Sequence, residues 1–535
     1  MTSFSAVGGT TFYIRESGGQ KQFSTNQTSW SNIVFPVTVT NTTAGQPNPT
    51  VLKVEFTTDI TLTNNNDYFT CASSYIQFGS TSLKNDGSRP IINIQVDSYD
   101  GLIANGDVGA DGNSDIYVYN LSLVGAGSLQ IGAGWLGKKG FSKNKSNNYI
   151  INCDSSGNIN GGGILGDYAE NVTLIGCSSS GNINANAGGI VGSIVSSVTL
   201  QYCWSTGAIS GNGAGGIVGS NSISATITNC YSSGVISGSN SGGIIGSNAG
   251  SNTVQINSCY STGNITGSNA GGICGSFGVS TYSVTITNCY TTGNISNGNF
   301  EINGGISGPI IGSTVSLSIT NCYVKGTVVV SSGYIIGNIS TINGSNPPPS
   351  QYSLSQNYSE AGSPGGIAGV WSDSRANSTL QGTPSVSNVG TTWIKTGVNQ
   401  PYQLNNMGYT PYSLLNINTT GTPSLIRTNN QSVFSGSSSS TAIISGKSYT
   451  ILGISQGGTF GSYPTITINS TTGVISTSTT TAAGSYTLYI YNILNSSDYS
   501  VTQVNLNVQS NLNAFYVLLL LLLRRRRYQK HLAFY

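Results

Sequence analysis

Charged side chains make up only 7% of this 535-residue chain, against about a quarter in an ordinary soluble protein, and the net charge is +2. So weak and undirected a charge excludes a nucleic-acid-binding surface. Low charge also occurs in membrane and collagen-like chains, but there is no twenty-residue apolar span and no Gly-X-Y period, although glycine occurs 72 times.

The N-terminus, Met1 to Gly9, has no basic region followed by an apolar core, so synthesis without classical secretion is expected. Residues 1–50 are expected to form an N-terminal segment whose stretch from about 25 to 50 caps the first coil. Over 51–149, strands are expected at Leu52–Phe56, Ile60–Leu62, Tyr75–Phe78, Ile92–Val96 and Tyr117–Leu123, separated by turn residues.

Between two of these strands lies an acidic stretch, Asp97, Asp100, Asp107, Asp111 and Asp115. Paired carboxylates can perform general acid-base work on polysaccharides, and Gly-Asp-Val-Gly-Ala-Asp-Gly-Asn-Ser-Asp could wrap a hard cation. It lacks the ligand spacing of a standard calcium loop, and the plainer reading is a solvated connection.

From residue 150 to 345 one pattern recurs: an apolar β-type run, a motif like Asn-Cys-Tyr-Ser-Thr-Gly-Asn-Ile, then Gly-Gly-Ile-Val-Gly. Its cysteines, Cys153, Cys177, Cys203, Cys230, Cys259, Cys289 and Cys322, are spaced by 24 to 33 residues. A period of this length marks stacked coils that bury their apolar side chains only against their neighbours. Three short β-prone pieces per repeat predict one rung of a parallel β-helix. The paired glycines, such as Gly188 and Gly215 with their partners, are expected at corners that need positive φ and have no room for Cβ.

The spacing of the cysteines excludes a zinc knuckle. Stacked cysteines would come within disulfide reach, but reduced thiols are the simpler expectation, because a buried thiol packs as a small hydrophobe. Immediately after five of them come Trp204, Tyr231, Tyr260, Tyr290 and Tyr323. With cysteine inward and the aromatic outward, the rings would form an exposed stack able to bind sugar faces; the competing reading is a ladder that only stiffens the rod. From Asn171 to Phe300 there is no Asp, Glu, Lys, Arg or His, and the only histidine is His531. Ordinary hydrolytic chemistry therefore has no place in the repeats, and neither a cofactor nor a metal motif is read anywhere.

Gly-Gly-Ile-Val-Gly-Ser followed by Thr-Ile-Thr-Asn-Cys-Tyr-Ser-Ser-Gly-Val-Ile resembles the GLUG repeat, over residues 150–345. The resemblance implies a right-handed β-helix used as a spacer or presentation module, as in bacterial surface adhesins and the non-catalytic parts of secreted metallopeptidases. The chain lacks the His-Glu-x-x-His motif of those peptidases. The earlier coils are similar to the first turns of pectate-lyase-like β-helices.

Residues 346–439 are expected to hold last coils, a cap and a linker, with Gly365–Gly369 as a decayed rung. From 440 to 509 the period changes to two, as in Tyr486-Thr-Leu-Tyr-Ile-Tyr491, and this stretch resembles an immunoglobulin- or cadherin-like β-sandwich. The Leu/Arg tail, 510–535, reads as low-complexity sequence rather than a membrane anchor, since its ten apolar residues reach only about 15 Å as a helix. No heptad segment enforces an oligomer. The layout is similar to β-helix proteins of large DNA viruses of amoebae. It implies a structural or adhesive protein on a virion or cell surface, presenting a face to glycans or a surface protein. The alternatives are a polysaccharide-cleaving enzyme using residues 97–115 and a pure spacer.

Overall fold

The computed structural model describes residues 1–278 except 48 and 81–89, then 282–296 and 303–311, and beyond these chiefly separate strands as far as residue 509. The expected decayed rung at Gly365–Gly369 is described only at Ile367–Ala368, and the tail of residues 510–535 lies outside the described residues. The chain divides into two compact units, Met1–Thr422 and Pro423–Tyr535.

Among the described residues every regular element is a strand. The first unit is built on two long sheets, of fourteen and eleven strands, whose neighbours from Leu52 onward pair in parallel and in register, consistent with a parallel β-helix. Alternation explains the long sheet. In Val254–Asn257, Val254 and Ile256 are buried while Gln255 and Asn257 face solvent, and the next rung repeats this at Val284 to Thr287. One rung has nothing to bury these side chains against, so the stack itself supplies the core.

At the end of this strand the chain turns through a left-handed residue, at Asn152, Tyr202, Asn229, Ser258 and Asn288 in successive rungs, with Gly176 taking the same role. Left-handed backbone costs most L-residues about 1–2 kcal/mol, and Asn tolerates it best after Gly. The turn resets the alternation, so that Cys259 enters the central apolar cluster beside Ile256. The second sheet follows at Tyr260–Ser261. The third β-prone piece forms ladders of single bridges rather than strands: Ile236↔Ile265↔Ile295, Gly242↔Gly271↔Gly304 and Ile245↔Cys274↔Ser307.

The paired glycines differ from expectation in one respect. None of Gly188, Gly189, Gly215, Gly216, Gly242 and Gly243 has positive φ, yet none has room for Cβ. A Cβ on Gly216 would lie 2.0 Å from the carbonyl oxygen of Gly243 and 2.7 Å from Cβ of Ser232. The pair forms a waist where opposite walls of the coil nearly touch. The central cluster lies on one side, and on the other a small second cluster contains Ile236, Ile265 and Ala270. Positive φ falls instead on Asn186, Gly213, Asn240 and Asn269, just before the pairs.

The stretch expected to cap the first coil divides in two, with Ser31–Asn32 at the edge of the long sheet. Val37–Asn41 is not part of a cap, because it pairs in parallel with Thr2–Ala6 inside a coil. The long sheet is closed by residues 11–32, where Thr11–Ser17, Gln20–Ser24 and Ser31–Asn32 pair antiparallel. The first hairpin turns at Gly18 and Gly19, both at positive φ (57° and 73°), the geometry of a tight two-residue loop. Reversing strand direction ends the parallel stack and covers its open edge.

In the second unit, Thr428–Phe434 joins a five-stranded sheet through parallel pairing with Tyr499–Gln509, so this module begins before residue 440. Ile466–Ile468 and Ile475–Thr477 form a separate two-stranded sheet, and Ile475, Leu488 and Leu506 share one small core.

The waist makes opposite demands at neighbouring positions. Gly216→Ala is expected to cost at least about 2 kcal/mol despite its ordinary φ, because rigid backbone must move. Asn269→Gly keeps a left-handed corner and is expected to cost less than about 1 kcal/mol. Denaturant unfolding of the two variants checks this; equal costs would contradict the waist.

Candidate functional site

The aromatic residues do form a column. Trp204, Tyr231, Tyr260 and Tyr290 are cross-strand partners in register, with ring centroids 6.2, 4.9 and 4.8 Å apart and planes within 5° of parallel. They belong to neither the central nor the second apolar cluster, whereas the seven cysteines all lie in the central one. The rings are nevertheless buried, at 4, 5, 0 and 1% exposure. The expected exposed stack is therefore corrected: the stack is present, but its faces are turned to each other at the rung spacing and its edges are covered. Tyr323 continues the strand register, and its side chain lies outside the described residues.

Sequence reading missed how the column continues and where it begins. Tyr358 follows Tyr323 in register, and Asn357 takes the place of a cysteine, accepting from the Cys322 N–H at 2.9 Å. The motif Asn357-Tyr358-Ser359 carried that signal. Before Trp204 the same column holds Ser178, Asp154 and Ser122, with the Ser122 hydroxyl donating to Asp154 at 2.7 Å.

All nine cysteines are free and buried. Burial pushes the thiols of Cys177, Cys203, Cys230, Cys259 and Cys322 well above their ordinary range. At Cys289 burial acts in the same direction and is opposed by hydrogen bonds with Cys259 and Cys322. Amide N–H groups of Cys203 and Cys230 donate to the next sulfur along, both at 3.4 Å. Thiols held this way pack as apolar groups.

The acidic residues do not converge. Asp97 is exposed and accepts from Ser128, Asp100 pairs with Lys138 at 3.3 Å, and Asp107 accepts from the N–H of Val108. Asp111 accepts from Asn144 at 2.7 Å and pairs with Lys145 at 3.3 Å. The Asn144 bond, then Lys145, lowers the Asp111 pKa, which makes it a poor base near neutrality. Asp115 is buried, left-handed at φ 57°, and takes hydrogen bonds from Ser114, Tyr117 and Asn147. No two of the five share a partner, and among the described residues no group of three potential metal ligands gathers.

One buried acid was not anticipated. Glu55 accepts from the phenol of Tyr119 at 2.5 Å, and Gly79 lies between them in the register, where a Cβ would meet the Tyr119 ring.

The outer face of the long sheet is polar, exposed at Thr226, Gln255, Asn257 and Thr285 and half-buried at its other positions. Thr173, Thr199, Thr226, Gln255 and Thr285 stand in one cross-strand row, with Gln201, Thr228, Asn257 and Thr287 in the next. Fold and side chains together define an all-β, parallel-stacked protein with an uncharged repeating surface. No protein-family model, curated protein or solved structure matches the chain.

If the rings stiffen the stack, Tyr260→Ala should destabilise the protein by about 3 kcal/mol, the cost of emptying a buried aromatic site. Chemical denaturation measures this, and an unchanged midpoint would return the ring to the role of a dispensable ligand platform.

Proposed function

We propose that the protein is a non-catalytic structural and adhesive rod, a right-handed β-helix of GLUG-like rungs that displays an uncharged face to glycans or to a surface protein. The observation that carries this reading is the row Thr173 to Thr285, in register and exposed at Thr226, Gln255 and Thr285, within a region from Asn171 to Phe300 that holds no Asp, Glu, Lys, Arg or His. Hydroxyl and amide groups repeating at the rung spacing of about 4.8 Å suit a ligand offering many weak, evenly spaced hydrogen bonds. The right hand follows from the strong preference of parallel crossovers. The Pro423–Tyr535 unit is read as an immunoglobulin-like module, and the location as a virion or cell surface.

The dispersed, separately partnered carboxylates weigh against a polysaccharide-cleaving site at Asp97 to Asp115. Burial of Trp204, Tyr231, Tyr260 and Tyr290 favours a second reading, a pure spacer, because it takes ring faces out of play as sugar platforms.

A glycan-array screen of the full chain, followed by reducing-end assays on each glycan retained, separates the readings. Retention without new reducing ends, unchanged in Asp111→Asn, is the expected result. New reducing ends would establish an enzyme, and no retention of any glycan or surface protein would leave the spacer.

A further inference from the structure

Just before each glycine pair the chain turns through a left-handed corner, and in successive rungs that corner is Asn186, Gly213, Asn240 and Asn269. Gly213 interrupts the column of side chains without changing its backbone, with φ 69° against 60° and 59° at its neighbours. A Cβ on Gly213 would come within 2.8 Å of the Ser247 hydroxyl and 3.0 Å of the Asn186 amide oxygen. Beside this corner lies a groove of about 330 Å³, lined by Asn186, Asn212, Asn221, Asn240 and Asn248 and backed by Phe277. This is the small end of the range for ligand pockets.

The chemistry of the groove is specific. Asn240 is fully engaged, donating to Asn212 at 3.0 Å and accepting from Ser276 at 2.9 Å. Asn186 accepts from Ser220 and Asn248 from the N–H of Gly278, which leaves their Nδ2 groups unused among the described residues, as is the Nδ2 of Asn212. Asn221 donates to Ser220, leaving its Oδ1 unused. The groove therefore offers three amide donors and one amide acceptor, with no charged side chain between Asn171 and Phe300 to attract an ion. Asn186, Asn221 and Asn248 are all left-handed, at φ 60°, 53° and 54°, so their amides are held on rigid corners. Ordering them costs a ligand little.

We infer that this groove is a binding site for a neutral carbohydrate, about one or two sugar rings whose hydroxyl and ring oxygens accept from the amides while one hydroxyl donates to Asn221. The inference rests on the glycan-binding reading above and moves its site from the threonine row of the sheet face to the groove beside Gly213.

The test is a glycan array with the full chain and three variants. Gly213→Asn restores the side chain that neighbouring corners carry and sets it against two residues of the groove, Asn186 and Ser247. Asn248→Gly removes a donor while keeping left-handed backbone, and Thr285→Ala alters only the exposed sheet face. Unfolding midpoints verify that each variant is folded. The expected result is retention of uncharged glycans, weakened at least tenfold by Gly213→Asn, several-fold by Asn248→Gly and unaffected by Thr285→Ala. Neutral glycan binding that survives Gly213→Asn but falls with Thr285→Ala would overturn the groove and leave the adhesive reading standing. Retention of only acidic glycans would likewise overturn it, and retention of none would overturn both.

Discussion

The coil is held in shape by a steric constraint at the paired glycines. Carbonyl oxygens from the adjoining rung lie where a Cβ would be, 1.9 Å from that position at Gly189 and 2.0 Å at Gly216. Because opposite walls nearly touch there, each coil is divided into a central core and a smaller lobe, and each rung must lie directly over the last. Small hydroxyl side chains, Ser232, Ser261 and then Thr291, face this waist in successive rungs. The aligned cysteine and aromatic columns are consequences of that register. Adjacent rungs bring each residue over its counterpart at about 4.8 Å, and the 4.8 and 4.9 Å ring separations report that spacing directly.

Stacking without charge also shapes the surface. A column of like charges at this spacing would repel along its length, so a long regular ladder is more readily built from groups that hydrogen-bond to their own copies or pack against them. Asn152 donates to Asn120 and Asn240 to Asn212, each across one rung. No acidic or basic residue falls between Asn171 and Phe300, and several lie in the less regular coils before that stretch. There each finds a separate partner, as Asp100 does with Lys138 and Asp111 with Lys145.

Much of this was legible in the chain itself. The cysteine period and the alternation of Val254–Asn257 were enough to read stacked parallel rungs, and the left-handed residue before each cysteine lies at the bend that the alternation requires. Burial of the aromatic column was not legible, since Tyr290 after Cys289 reads the same whether its outer edge is covered or bare. The glycine pairs were read both for φ and for lack of room for Cβ; the second holds, but which rung fills that room is not encoded in local sequence. The groove at Gly213 was invisible for a related reason: a glycine among glycines carries no signal until its corner is aligned with Asn186 and Asn240. The acidic stretch looked clustered because five aspartates fall within nineteen positions, while the turns between them send each to a different neighbour.

The register of the rungs is the claim on which all else rests. Thr226 and Thr285 are exposed, and the native thiols are buried, so spin labels introduced through Thr226→Cys and Thr285→Cys attach selectively. Dipolar spectroscopy should then report a narrow distribution centred near two rung spacings, about 10 Å between backbones plus the label arms. A broad distribution extending over several tens of ångströms would mean that these two strands are not stacked, and the account would fail with it.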